Sequence, residues 1–205
     1  MEEVYLKVDE WLTFFKKYRQ KKLFSLSDLV VLTGESISSL SVQLSRLNRA
    51  NMLHRAARNW YENPFNTPSI EEIAMILRPP SYLSMEYALY KNDVLSQQIH
   101  LVTLVTTQLT YTYKTTSRIF EFHQMKKSLF WGYQTQRTIN IADAEKALLD
   151  LIYLRYARNK ELTKQQIHSL LDNMYLEELN HNKLQKYVQS FDSRTKKIIQ
   201  EIEFF

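Results

Sequence analysis

The segment Ser36–Asn51, SISSLSVQLSRLNRAN, has the periodicity of an amphipathic helix. At about 100° per residue, one side of this helix is apolar and is predicted to face a core. That side comprises Ile37, Leu40, Leu44 and Leu47. The opposite side comprises Ser38, Ser39, Val42, Ser45, Arg46 and Arg49. Serine is a weak helix former, so a helix with this many serines on one face suggests that small hydroxyl side chains have a function there.

Two interpretations of this face are open. A helix that enters the major groove of DNA benefits from small side chains, and its arginines can bind phosphate or guanine. Val42 could then pack on a thymine methyl group. Alternatively, the segment is an ordinary amphipathic helix with a serine-rich surface.

Two helices are predicted before this segment. The first runs over residues 2–19, and the second lies within SLSDLVVLTG, where Ser27 can cap the start and Gly34 ends the helix. Ser36 is then the predicted N-cap of the serine-faced helix. A short helix, a glycine turn and a further helix predict a helix-turn-helix.

The runs MLHRA and NWYEN follow the third helix and predict a β-hairpin. A hairpin in this position is the wing of a winged helix-turn-helix domain, which we predict over residues 1–63. Exposed residues of the wing, Arg55, Arg58 and Asn59, could contact the DNA backbone or the minor groove. The predicted DNA-binding set is therefore Ser36, Ser38, Ser39, Val42, Ser45, Arg46, Arg49, Arg55, Arg58 and Asn59.

The remaining residues, 64–205, predict a larger α+β domain. Asn63–Ser69 has two prolines and is the predicted linker, and Ser69 with Glu72 has the spacing of a capping box. Short helices precede runs rich in Thr, Val, Ile, Tyr and Phe between residues 98 and 142. Helices are predicted from residue 144 to the end, so the second domain has a small sheet and C-terminal helices.

The composition excludes several classes of protein. The 205 residues contain no cysteine, so there is neither a disulfide framework nor a thiolate metal site. The two glycines cannot form a phosphate-binding loop, and no apolar run approaches the ~18 residues of a membrane span. A net charge of +5 is compatible with nucleic acid. We expect a cytoplasmic protein with no membrane association, no metal and no cofactor.

Three blocks of the chain resemble the AbiE-type (AbiEi) antitoxins, which are transcriptional regulators of bacterial abortive-infection toxin–antitoxin operons. The first is the predicted winged helix, FSLSDLVVLTGESISSLSVQLSRLNRANMLHRAARNWY. The second is RPPSYLSMEYALYKNDVL, Arg78–Leu95, which is similar to the family's Pro-x-Tyr-Ile-Ser-x-x-x-Ala-Leu segment. The third is INIADAEKALLDLIYL, Ile139–Leu154, which is similar to the family's Ile-Ala-x-x-Glu-Lys-Ala-Leu-Leu-Asp signature. In the wing, Asn59 follows Arg58 where the family commonly has glycine, and Asn tolerates the left-handed conformation.

The resemblance implies a regulator that binds double-stranded DNA at its own promoter, represses its operon and counteracts a nucleotidyltransferase-like toxin. The alternative is a protein-interaction module, or a standalone transcriptional regulator without a toxin partner. Glu145, Lys146 and Asp150 look catalytic, but Lys146 and Asp150 have the i, i+4 spacing of a pair on a helix surface. We therefore expect these three residues to be structural and the protein not to be an enzyme.

Overall fold

The chain divides into two units, Met1–Ile73 and Ala74–Phe205. Both combine helices with strands, which confirms the α+β class. The sequence places the domain boundary after residue 63, whereas helix Ile70–Leu77 spans the division between the two units. This computed structural model describes residues 6–97, 99–115, 118–157, 171 and 173–202.

Helices and short strands alternate in the first unit. The elements, in chain order, are α1 (Val8–Lys17), β1 (Leu23–Ser25), α2 (Leu26–Thr33), α3 (Ile37–Arg49), β2 (Arg55–Ala57), β3 (Trp60–Glu62) and α4 (Ile70–Leu77), of which α4 continues into the second unit. The three strands form an antiparallel sheet with the order β1-β3-β2. Their core is built from Trp11, Phe15, Phe24, Leu29, Leu40, Leu44, Leu47, Leu53 and Tyr61.

Capping residues fix both ends of α2, the helix that precedes the turn before α3. Ser25, and not the predicted Ser27, is the N-cap, because its hydroxyl accepts a hydrogen bond from the Asp28 N–H at 3.0 Å. The Asp28 carboxylate accepts one from the Ser25 N–H at 2.8 Å, which completes a capping box. Gly34 ends the helix with φ 75°, as its position in the sequence predicts.

The second unit is built on a six-stranded mixed sheet. After α4, its elements are β4 (Ser81–Leu83), α5 (Met85–Lys91), β5 (Leu101–Thr106), β6 (Tyr111–Lys114), β7 (Ile119–Gln124), β8 (Tyr133–Gln136), β9 (Ile139–Ala142), α6 (Ala144–Leu151), a π-helical segment (Ile152–Ala157), α7 (His181–Val188) and α8 (Ser193–Ile202). The strand order is β6-β7-β5-β4-β9-β8, and β4 lies inside the sheet, antiparallel to β5 and parallel to β9.

This unit agrees with the predicted order of short helices, strands and C-terminal helices. Strand β4 is an addition to the predicted elements, because it lies before the strand-rich runs predicted between residues 98 and 142. Residues 158–170, 172 and 203–205, in the region of the predicted C-terminal helices, lie outside the described residues, as do residues 2–5 of the predicted first helix. Among the helices that the structure describes, none has the length and hydropathy to cross a membrane.

Candidate nucleic-acid interface

Helix α3 packs against the first core through Leu40, Leu44 and Leu47, as predicted. Ile37 is different, because its side chain is 62 % exposed and does not belong to the core. Ile37 is the first residue of the helix, and helical side chains lean toward the N-terminus, so it projects beyond the end of the leucine stripe. The assignment of Ile37 to the core is therefore wrong.

Ser39 is also misplaced by the sequence pattern, because it is only 5 % exposed. Its hydroxyl donates to the Glu35 carboxylate at 2.6 Å and accepts from Nε2 of Gln43 at 2.9 Å. Oε1 of Gln43 accepts from the Trp11 indole N–H and from the Leu6 N–H, both at 3.0 Å. Ser39 thus belongs to a polar network that joins α3 to α1 and is not part of the exposed face of the helix.

The other predicted residues of α3 and its cap are exposed: Ser36, Ser38, Val42, Ser45, Arg46 and Arg49. Ser41 lies among them and was missed, although helical spacing places it next to Ser38 and Ser45. We call Ile37, Ser38, Ser41, Val42, Ser45 and Arg49 the α3 outer face. Helix α3 contains no acidic residue, so this face is neutral at its start and cationic at its end.

Several hydroxyls of this region have partners within their own turn. The Ser36 hydroxyl accepts from the Ser39 N–H at 3.2 Å and lies 2.9 Å from the Ser38 hydroxyl. The Ser41 hydroxyl donates to the Ile37 carbonyl at 2.7 Å. Because these hydroxyls are already bonded locally, the side chains offer a small and weakly polar surface.

The hairpin after α3 carries the remaining predicted residues, and Arg55, Arg58 and Asn59 are all exposed. Asn59 has φ 62°, which is the left-handed conformation expected for Asn in this turn. Its carbonyl accepts from the Leu26 N–H at 2.8 Å, so the turn is fixed to the start of α2. Nε of Arg55 donates to the Ala57 carbonyl at 3.1 Å, which directs this side chain along its own strand.

Several further charged side chains of this unit are also paired or half-buried. Lys22 pairs with Glu72 at 2.9 Å and Lys21 with Asp28 at 3.3 Å. Glu35 is half-buried and bonded to Ser39, and burial raises the pKa of the half-buried Glu62 carboxyl. The acidic residues near α3 and the hairpin are thus partly withdrawn from solvent, while the arginines of these elements are exposed.

The second unit contains a polar cluster that is fully buried. Nζ of Lys146 bonds to the Asp150 carboxylate and donates to the Tyr82 hydroxyl at 2.9 Å. Oδ2 of Asp150 accepts from the hydroxyls of Tyr82 and Ser84, each at 2.8 Å. The side chains of Lys146 and Asp150 are 0 % exposed, so the expectation of a pair on the helix surface is wrong.

Aromatic rings and a close glycine enclose the Lys146 side chain. Its Nζ lies 5.3 Å from the ring centre of Trp131 and 5.4 Å from that of Phe191. A Cβ at Gly132 would lie 2.8 Å from Cγ of Lys146, so only glycine fits there. Burial lowers the pKa of Lys146 and raises the pKa of Asp150, and their mutual attraction opposes both shifts. The hydrogen bonds of the cluster are made among Tyr82, Ser84, Lys146 and Asp150, all within the second unit.

Glu145 and Asp143 connect the start of α6 to α7. The Asp143 side chain caps α6 by accepting from the Lys146 N–H at 3.0 Å. Glu145 accepts from the Asn180 N–H at 2.8 Å and pairs with Lys183 at 3.1 Å. Asp143, Glu145 and Lys146 therefore each have a partner within the second unit.

Among the residues that the structure describes, no group of three His, Asp or Glu side chains could hold a metal ion. Comparison with protein-family models and with curated proteins gave no match for this chain. No family assignment follows from these comparisons.

Proposed function

We propose that this protein is a DNA-binding transcriptional regulator whose first unit is a winged helix-turn-helix domain, with α3 as the recognition helix and β2–β3 as the wing. The element order α1-β1-α2-α3-β2-β3 and the strand order β1-β3-β2 support this proposal, because winged helices share both. The turn at Gly34 between α2 and α3 has the length of a helix-turn-helix connection.

The observation that carries the proposal is the α3 outer face. It consists of small or apolar side chains over the first turns and ends in Arg49, with exposed Arg46 on its flank. Small side chains let a helix approach the floor of a major groove closely, and cations at its end can meet phosphate. Exposed Arg55 and Arg58 on the hairpin provide further cations in the same unit.

On the resemblance of the three blocks, we further propose an antitoxin of the AbiE type. Such a protein would bind double-stranded DNA at its own promoter, repress its operon in the cytoplasm and counteract a nucleotidyltransferase-like toxin, without being an enzyme. A neighbouring gene for a nucleotidyltransferase-like protein is expected. If no such gene is present, a standalone regulator is the better interpretation.

A protein-interaction module is the second candidate function. The observation that favours it is the exposure of large apolar side chains at adjoining ends of two helices, with Val31 of α2 81 % exposed and Ile37 of α3 62 % exposed. Exposed apolar groups that lie together often mark a protein interface. In that case, the arginines of α3 and the hairpin would have no role in DNA contact.

The experiment that tests the proposal is a salt series of binding affinities with the full chain. The probe is a duplex from the protein's own upstream region, and a shuffled duplex is the competitor. We expect preference for the upstream duplex and a steep fall of affinity with salt, because each phosphate contact contributes about 0.9 to the log–log slope. Affinity that is insensitive to salt, or equal for both duplexes, would favour the interaction module.

Two matched variants test whether α3 makes the phosphate contacts. Arg49→Ala, on α3, should reduce the slope by about 0.9 if this side chain neutralises one phosphate. Arg19→Ala is the control, because Arg19 is an exposed arginine that follows α1 rather than a residue of α3 or the hairpin. Equal slopes for Arg49→Ala and the parent would place the phosphate contacts elsewhere on the protein.

A further inference from the structure

The α3 outer face exposes hydrocarbon where a recognition helix usually exposes amides or guanidinium groups. Ile37 is 62 % exposed and Val42 is 40 % exposed. The guanidinium groups of α3, Arg49 on this face and Arg46 on its flank, lie in the last turn of the helix. Gln43 is 4 % exposed and bonded to Trp11 and Ser39, and Asn48 donates to the Leu53 carbonyl at 2.8 Å. The side chains that pair with adenine through two hydrogen bonds are therefore directed into the protein or held by its own backbone.

Three of the four exposed serine hydroxyls of α3 and its cap are already bonded locally and do not fill this role, the exception being Ser45. Ser36 is committed to the helix cap, Ser38 lies against Ser36, and Ser41 bonds to the backbone one turn earlier. At the edges of the bases in the major groove, the main hydrocarbon feature is the C5-methyl group of thymine. An apolar side chain on a groove-reading helix gains by covering that methyl group, because both surfaces leave water.

We propose that Ile37 and Val42 determine sequence specificity by packing on thymine methyl groups, so that the preferred ligand is a duplex with thymines at the two matching positions. This inference rests on the proposed function, since it requires that α3 enter the major groove. Duplex DNA is the occupant that fits the charge of this surface, because the exposed cations Arg46 and Arg49 follow on the same helix.

The test replaces thymine by uracil, one position at a time, across the duplex that the full chain protects from cleavage. Uracil keeps both pairing groups of thymine and lacks only the methyl group. We expect about fourfold weaker binding at one or two positions, the effect of one buried methyl group. Val42→Ala should bind the thymine duplex several-fold more weakly and should show no further loss on uracil at its position. Ile37→Ala should behave likewise at a neighbouring position.

Val8→Ala is the matched control, because Val8 is an exposed valine on α1, with 46 % exposure. Val8→Ala should bind the thymine duplex as tightly as the parent does. Replacing thymine by uracil should weaken its binding by the same factor as for the parent. Equal binding of thymine and uracil duplexes by the parent would overturn the inference and leave the proposed regulator standing. An effect of uracil that persists in both α3 variants would also overturn it. Failure of the parent to prefer its own upstream duplex would overturn the proposed function, and this inference with it.

Discussion

Adjacent serines at the start of α3 have opposite environments. Ser38 is exposed, whereas Ser39 is 5 % exposed and bonded to Glu35 and Gln43. A step of about 100° between successive residues is enough to carry a side chain from solvent to the edge of the core. The sequence pattern assigned both to the outer side, because serine and glutamine are counted as polar and a buried polar network has no signature in the spacing.

Ser39→Ala should lower the free energy of unfolding of the first unit by about 1–2 kcal/mol, because Gln43 is left buried with an unpaired amide N–H. The matched variant Ser38→Ala should change it by less than about 0.5 kcal/mol. Denaturant unfolding followed by circular dichroism measures both. Promoter affinity of folded Ser39→Ala should equal that of the parent, and equal stability of the two variants would contradict the role given to the network.

Lys146→Met should destabilise the second unit in a pH-dependent way. The variant leaves the Asp150 carboxylate buried without its cation, which costs about 3–5 kcal/mol near neutral pH. Burial already raises the pKa of Asp150, and losing the attraction of Lys146 raises it further. A carboxyl whose folded pKa exceeds its unfolded pKa favours the folded state below the unfolded pKa, and this contribution is lost as pH rises through the folded pKa.

Unfolding by denaturant from about pH 4 to neutral pH, starting near the unfolded pKa of Asp, tests this sign. The free energy of unfolding of Lys146→Met should fall furthest below that of the parent at neutral pH. The difference between the two proteins should become smaller as the pH is lowered. The double variant Lys146→Met with Asp150→Asn is the control, because no carboxyl remains to titrate at that position. A deficit in the single variant that does not vary with pH would show that lost packing, rather than the buried carboxylate, causes it.

Among the elements, helices with strong periodicity and clear caps could be predicted from the sequence. Helix α3 has its Ser36 cap, and α4 has the Ser69–Glu72 capping box, with hydrogen bonds of 2.7 and 3.2 Å between these residues. Strand β4 could not be predicted, because three residues are too few for a period to show and its place in the sheet depends on β5 and β9. Ser25 rather than Ser27 caps α2, because strand β1 ends there.

Gly34 lies at the end of α2, and Gly132 lies directly before β8. Both have a positive φ, 75° at Gly34 and 77° at Gly132. A Cβ at Gly34 would meet no atom within 4 Å, so Gly34→Ala should lower stability only by the backbone cost of about 1–2 kcal/mol. A Cβ at Gly132 would lie 2.8 Å from the buried Lys146 side chain. Gly132→Ala should therefore cost clearly more, as measured on the unfolding of the second unit. Equal losses of stability in Gly34→Ala and Gly132→Ala would mean that the Lys146 side chain can move away from the added Cβ.

Within the part of the chain that the structure describes, each unit has a hydrophobic core of its own. The first is centred on aromatic residues of α1 and leucines of α3, and the second surrounds α5 and α6. A unit with its own core can unfold on its own, so a single two-state transition is not the expectation for this chain. The same division assigns the exposed arginines of α3 and the hairpin to one unit and the buried Lys146 cluster to the other.

We therefore expect two transitions in calorimetry, each sensitive to one core. Leu44→Ala and Leu148→Ala are matched variants, because both leucines are 0 % exposed and lie in different cores. Each should remove about 2–5 kcal/mol from its own unit and leave the other midpoint in place. Duplex from the upstream region should raise only the transition lowered by Leu44→Ala, because a ligand stabilises the unit that binds it. A single transition shifted by both variants, or DNA that raises the transition of the second unit, would contradict this division of roles.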